Sequence, residues 1–77
     1  MKEEIIKKIK DNTVYKNAVA SGIGAEIRED DEHKDTVKVV FDRGDGVIVS
    51  GIIPFDSNEE NITRELRGLY NWLTLLG

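Results

Sequence analysis

His33 sits in the densest run of carboxylates in the chain, among Glu29, Asp30, Asp31, Glu32 and Asp35. Carboxylates with one imidazole can hold a divalent ion weakly, provided the ligands converge. Neighbours in a loop usually point outward, so the plainer expectation is a solvated acidic loop. The sharper one is an acidic knob that docks on a basic surface, where it speeds and orients association more than it tightens it. Acid–base chemistry at His33, the only histidine, would need a paired nucleophile. Ser21, Ser50 and Ser57 each have a simpler use as turn, strand or cap. No catalytic constellation emerges, and a domain this small encloses little pocket. The expectation is a non-enzymatic protein with no cofactor and no resident metal.

Two glycine motifs are weaker than they look. Gly22-Ile23-Gly24 resembles the opening of a phosphate-binding loop, but position 27 is Ile where G-x-G-x-x-G needs Gly. Its glycines are expected to ease a tight turn into the first strand. Asp42-Arg43-Gly44-Asp45-Gly46 contains the adhesion tripeptide Arg-Gly-Asp and a fragment of a calcium loop. The distal bidentate Glu of a calcium loop is missing. A hairpin turn built from residues that tolerate positive φ explains the string.

The stronger signal is surplus apolar surface. On the C-terminal helix Trp72 borders the core stripe, beside Gly68 and Leu75, and Leu75 points away from the core. Trp is a preferred interface anchor. Gly68 costs a helix about 1 kcal/mol against Ala, so close approach of another element is expected there. That element is either a partner or the N-terminal helix. Val40, Ile48 and Ile52 form a second patch on one face of the sheet.

The elements that position these residues can be read from periodicity. Residues 2–10 place Ile5, Ile6 and Ile9 on one helical face, with Glu3–Lys7 and Glu4–Lys8 at the favourable spacing. Residues 11–22 are ambiguous, leaning to helix or irregular chain, and Asp11-Asn12-Thr13 offers a turn or a new N-cap. Residues 23–29 alternate as a half-buried strand. A three-residue loop Gly44-Asp45-Gly46, with Gly46 at positive φ, pairs Arg43 with Val47, Phe41 with Val49, Val39 with Gly51 and Val37 with Ile53. One face then holds Val37, Val39, Phe41, Val47, Val49 and Ile53. The other holds Lys38, Val40, Asp42, Ile48, Ser50 and Ile52. Pro54 ends the last strand. Residues 57–76 form the main helix, capped by Asp56 or Ser57 with Glu59 or Glu60 completing a capping box. Its stripe is Ile62, Leu66, Leu69, Tyr70, Leu73 and Leu76, and it should lie across the face holding Phe41 and Val49.

The expected fold is a small single α+β domain spanning 1–77. Its order is helix, three-stranded antiparallel β-meander, long C-terminal helix (α-β-β-β-α). The open question is the N-terminal helix. On the second sheet face it would close a three-layer sandwich over Val40, Ile48 and Ile52; on the first it would leave that patch exposed.

Seventy-seven residues leave no room for a second domain. A chain this short buries only roughly 60% of its unfolded surface. With no cysteine, a disulfide scaffold and cysteine-ligated zinc are excluded. The net charge is −4, concentrated in residues 26–35, which carry six acids against Arg28 and Lys34. An acidic chain repels phosphate backbones, which argues against direct nucleic-acid binding. The lysines at 2, 7, 8, 10 and 16 are a local exception. The charged N-terminus lacks the apolar core of a signal peptide, and no run is long enough to cross a membrane. A cytoplasmic protein is expected.

These readings lead to a small acidic interaction module that docks on a larger protein or associates with itself. Trp72, Leu75, Gly68, Val40, Ile48 and Ile52 would supply affinity, and Glu29, Asp30, Asp31 and Glu32 orientation. The alternative is an inhibitor of the mobile-element or phage type, whose carboxylates occupy the phosphate sites of a nucleic-acid-binding protein.

Overall fold

In a computed structural model, residues 2–75 are described. The chain order is α1 (Lys2–Asp11), α2 (Thr13–Ala20), β1 (Gly24–Glu29), β2 (Thr36–Asp42), β3 (Ile48–Pro54) and α3 (Glu59–Leu75). The strands form one antiparallel sheet in the order β1-β2-β3. This is the α+β arrangement read from the sequence, with the ambiguous segment resolved as a second N-terminal helix. Leu76 and Gly77 lie outside the described residues.

Asn12 creates that second helix. Its backbone N–H still bonds Ile9 O at 3.1 Å, but its φ and ψ are extended and its side-chain oxygen accepts from Val14 N at 2.9 Å. This is an N-cap, and it restarts the chain in a new direction. The far end of α2 closes with paired bonds, Gly22 N to Val19 O and Ile23 N to Ala18 O, with Gly22 at φ 90°. Gly22 is therefore the left-handed residue of a helix C-cap. Gly24, by contrast, has room for a Cβ at 3.5 Å from Asp42.

The hairpin follows the register expected from segregation of its faces. Phe41 pairs with Val49, Val39 with Gly51 and Val37 with Ile53, and Arg43 N donates to Val47 O at 3.0 Å. Gly46 has positive φ, and so does Gly44, which the sequence did not single out.

The start of α3 departs from expectation. Asn58, not Asp56 or Ser57, is the cap: its side chain accepts from Asn61 N at 2.8 Å. A turn from Pro54 to Ser57, closed by Ser57 N on Pro54 O at 3.1 Å, buries Ser57 and delays the helix.

All three helices lie on one face of the sheet. Ile5 and Ile9 of α1, Tyr15 and Ala18 of α2, and Ile62, Leu66, Leu69 and Leu73 of α3 share one core with Val37, Val39, Phe41, Val49 and Ile53. α1 packs on β2, α2 on β1 and α3 on β3. The shortest Cα extent is 16 Å, which fits two layers. The three-layer sandwich is thus excluded, and no element among the described residues covers the second sheet face. A reason lies at Asn12, whose amide donates to Glu59 Oε1 at 2.6 Å and Thr63 Oγ1 at 2.9 Å. These bonds tie the α1–α2 junction to the first turns of α3, on the same side of the sheet.

Candidate functional site

The uncovered face can be built row by row from the strand register. Gly24, Asp42 and Ile48 make the first row, Glu26, Val40 and Ser50 the second, and Arg28, Lys38 and Ile52 the third. Ile48 is 58% exposed, while Val40 and Ile52 are half-buried. The charges lie on β1 (Glu26, Arg28) and β2 (Lys38, Asp42), with none on β3. On β1, Arg28 holds Glu26 at 2.8 to 2.9 Å, and the guanidinium keeps that carboxyl below its ordinary range. The apolar residues cluster toward β3.

The second exposed group flanks the same strand. The core stripe of α3 is Ile62, Leu66, Leu69 and Leu73, and Thr63 and Tyr70 line the groove shared with α2. At about 100° per residue, Glu65 and Trp72 fall on the opposite flank, with Gly68 and Leu75 just behind them. Because α3 sits over β3, an outer strand, that flank overhangs the free edge of β3. Trp72 is 51% exposed and Leu75 81%. Among the described residues, a Cβ on Gly68 would meet nothing within 4 Å. The sequence reading that Gly68 admits the N-terminal helix is therefore corrected: the space beside it is open.

The acidic loop is partly structural. Asp30 accepts from Glu32 N at 3.0 Å and lies 2.8 Å from His33 Nδ1, with only 12% of its side chain exposed. The Glu32 N–H first, then the His33 imidazole, hold its carboxyl below the usual range. Asp30 thus shapes the loop, whereas Asp31 and Glu32 face solvent. Glu29 ends β1 and pairs with Lys2. Among the described residues no three of His, Asp and Glu converge to hold a metal ion. The Thr36 hydroxyl donates to His33 O at 2.7 Å, and Ser21 Oγ to Asn17 O at 2.8 Å, so both are spent on backbone.

Folding adds to this acidic end in a way local sequence did not indicate. Phe55 N donates to Asp35 O at 2.8 Å, which seats the turn before α3 against the loop. Thr36 faces Pro54 and Glu29 faces Val37, so all three strands turn over at this end and α3 begins here. Residues 29–35 and 54–60 together hold eight of the chain's 15 acids, with Lys34 the one Lys or Arg in either segment.

The Arg-Gly-Asp string is folded on itself. Arg43 Nε lies 2.9 and 3.0 Å from the two Asp45 carboxylate oxygens, and Arg43 Nη1 donates to Leu73 O at 2.9 Å. The arginine therefore stitches the hairpin to the last turn of α3 and holds Asp45 below the usual carboxylate range. Val19, 49% exposed on α2, was missed by the sequence reading, and no periodicity in so short a helix marks it out.

The fold and site define a small two-layer α+β domain with one open sheet face and an apolar helix flank. Comparison with family models, curated proteins and solved structures finds no match. Among the described residues no helix is long and apolar enough to cross a membrane.

Proposed function

We propose that this chain is a small acidic, non-enzymatic protein–protein interaction module. The observation that carries this reading is the placement of all three helices on one sheet face, with Ile48, Trp72 and Leu75 left in solvent around β3. Large apolar side chains gathered at one strand are what a docking surface requires, whereas singly scattered ones are ordinary. The acidic end supplies long-range orientation, which depends on ionic strength.

The test is affinity capture from a lysate of the source cell. Wild type is compared with a Trp72→Ala/Ile48→Lys variant whose fold is checked by circular dichroism. A protein held by wild type and lost by the folded variant supports the module; equal capture by both removes this surface from the reading.

A second reading is favoured by the acidic end, where two segments distant in sequence combine. In it, the carboxylates of 29–35 and 54–60 occupy the phosphate sites of a nucleic-acid-binding protein. It predicts capture that survives Trp72→Ala but is lost on Asp31→Lys/Glu32→Lys, and that weakens steeply with salt.

A further inference from the structure

The free edge of β3 stands apart from the rest of this acidic chain. From Gly46 to Phe55 there is no charged residue. Edge strands normally carry charges, bulges or prolines that block pairing with another chain. β1, the opposite edge, follows that rule with Glu26, Arg28 and Glu29. β3 carries only Pro54, at its last position.

The hydrogen-bond phase of the ladder shows which groups β3 offers. Arg43 N bonds Val47 O, and hydrogen-bonded pairs alternate along an antiparallel ladder. Phe41/Val49, Val39/Gly51 and Val37/Ile53 are therefore the bonded pairs. Ile48, Ser50 and Ile52 direct their N–H and C=O groups away from β2, to the open side. Pro54 is next in that outward series, which is where a strand tolerates a residue without an N–H.

We propose that a second copy of this chain pairs with this edge, β3 against β3 in antiparallel register, with the two-fold axis at Ser50. This rests on the interaction-module reading and names its partner. Ser50 then faces the partner's Ser50, and Ile48 faces the partner's Ile52. Each of these pairs exchanges two hydrogen bonds, since each is made of outward-facing residues. The Val40, Ile48 and Ile52 patches of both copies join into one band across the outer face.

Three observations select a second copy over a foreign strand. A two-fold axis sets the residue on it, here Ser50, against its own duplicate. A charge there would meet its like, and neither Ser50 nor any other residue of this edge carries one. Antiparallel pairing also sends the two acidic ends in opposite directions. With the axis at Ser50, Pro54 lies opposite position 46 of the second copy, so eight rises of about 3.4 Å separate the acidic ends by roughly 27 Å, beyond the ~8 Å screening length at physiological salt. Finally, Gly68 gives up helix propensity, and among the described residues no neighbour lies close enough to account for it. It lies level with the axis, because its neighbour Leu69 packs on Gly51, beside Ser50. Across the axis Trp72 of one α3 meets the Gly68 region of the other, where a side chain would obstruct the approach. The contact is isologous and uses the edge once, so it closes as a dimer.

The test is sedimentation equilibrium of the full chain over about 1 µM to 1 mM, with thermal melts confirming the fold of each variant. Wild type is expected to reach twice the chain mass. Ser50→Lys and Ser50→Asp, at an exposed outer-face position, each set like charges on the axis and are expected to weaken the dimer at least tenfold. An equimolar mixture of the two variants is expected to restore it, as heterodimers countable by native mass spectrometry. Wild type that stays monomeric at the highest concentration overturns the inference, as does a dimer that Ser50→Lys leaves intact, or a mixture that stays monomeric. Capture of another protein that depends on Trp72 and Ile48, by a chain that is monomeric throughout, rejects the second copy and keeps the module. Absence of both removes the two together.

Discussion

Replacing Asn12 tests the joint on which the helical layer depends. The residue is 3% exposed, and its side chain makes three bonds, accepting from Val14 N and donating to Glu59 and Thr63. Loss of an N-cap of this type costs about 1 kcal/mol. Each of the other bonds contributes about 0.5–1.5 kcal/mol net, and the exposed Glu59 recovers part of its share from water. Asn12→Ala should therefore destabilise by about 2–3 kcal/mol. A domain of this size has roughly 4–12 kcal/mol in total, so the loss is large. It corresponds to a fall in Tm of about 10–20 °C. Asn12→Asp separates the roles. The carboxylate still caps α2, but it has no N–H to donate and faces Glu59 with like charge. Its loss of stability should approach that of Ala at pH 7, and Glu59→Gln in the same chain should recover most of it. Urea titration with circular dichroism measures all three. An Asn12→Ala chain within about 0.5 kcal/mol of wild type, the range of an ordinary surface substitution, would refute the argument. So would an Asn12→Asp chain as stable as wild type.

Two glycines should respond oppositely to alanine. At Gly51 the new methyl would lie 3.2 to 3.3 Å from the buried Leu69 side chain. Overpacking of that degree should destabilise by about 1 kcal/mol in a denaturant titration. At Gly68 nothing among the described residues obstructs the methyl. The isolated chain should gain about 0.5–1 kcal/mol there, and a loss would place an unseen neighbour against α3. Arg43 bonds both Asp45 and Leu73 O. Arg43→Ala should cost about 1 kcal/mol and speed amide hydrogen exchange in residues 72–75, and Arg43→Lys should fail to restore protection because one ammonium cannot serve both acceptors together. Glu26, Asp30 and Asp45 all titrate below the ordinary carboxylate range, held by Arg28, the Glu32 N–H and Arg43 respectively. Groups depressed in the folded state contribute stability above their unfolded pKa, near 4, and lose it as pH falls through the folded values. The urea midpoint should therefore hold from about pH 8 to 5 and decline below about 4; a midpoint unchanged down to pH 2 would contradict these pairings.

The parts of the fold legible in the sequence are those set by short-range pattern. Alternation in residues 36–54 fixed the hairpin register because a one-residue slip would have mixed Val39 and Phe41 with Lys38 and Asp42. The α3 stripe was legible for the same reason, at helical period. The α1–α2 break was not, because Asn12 is equally at home in a turn or a cap. What selects the cap is its bonding to Glu59 and Thr63, some 50 positions away. The start of α3 failed similarly. Asp56, Ser57 and Asn58 are all good caps, and the turn closed on Pro54 O decides among them.

The candidate surface divides along the same line. Ile48, Trp72 and Leu75 could each be named from the sequence, because each breaks the pattern of its own element. Whether they share one surface depended on which side α1 takes, and Ile5, Ile6 and Ile9 would serve either face equally well. Once α1 joins α2 and α3, the uncovered face, the overhanging flank of α3 and the free edge of β3 become neighbours around one strand. Charge then distinguishes that strand. The β1 edge keeps Glu26 and Arg28 locked together across its outer face, a device that disfavours pairing with another chain. β3 has no charged residue over its whole length. In a domain whose stability is thin by size alone, one protected edge and one bare edge on the same sheet is a difference with a physical consequence. The bare edge is where another chain gains backbone hydrogen bonds and apolar contact without desolvating a charge.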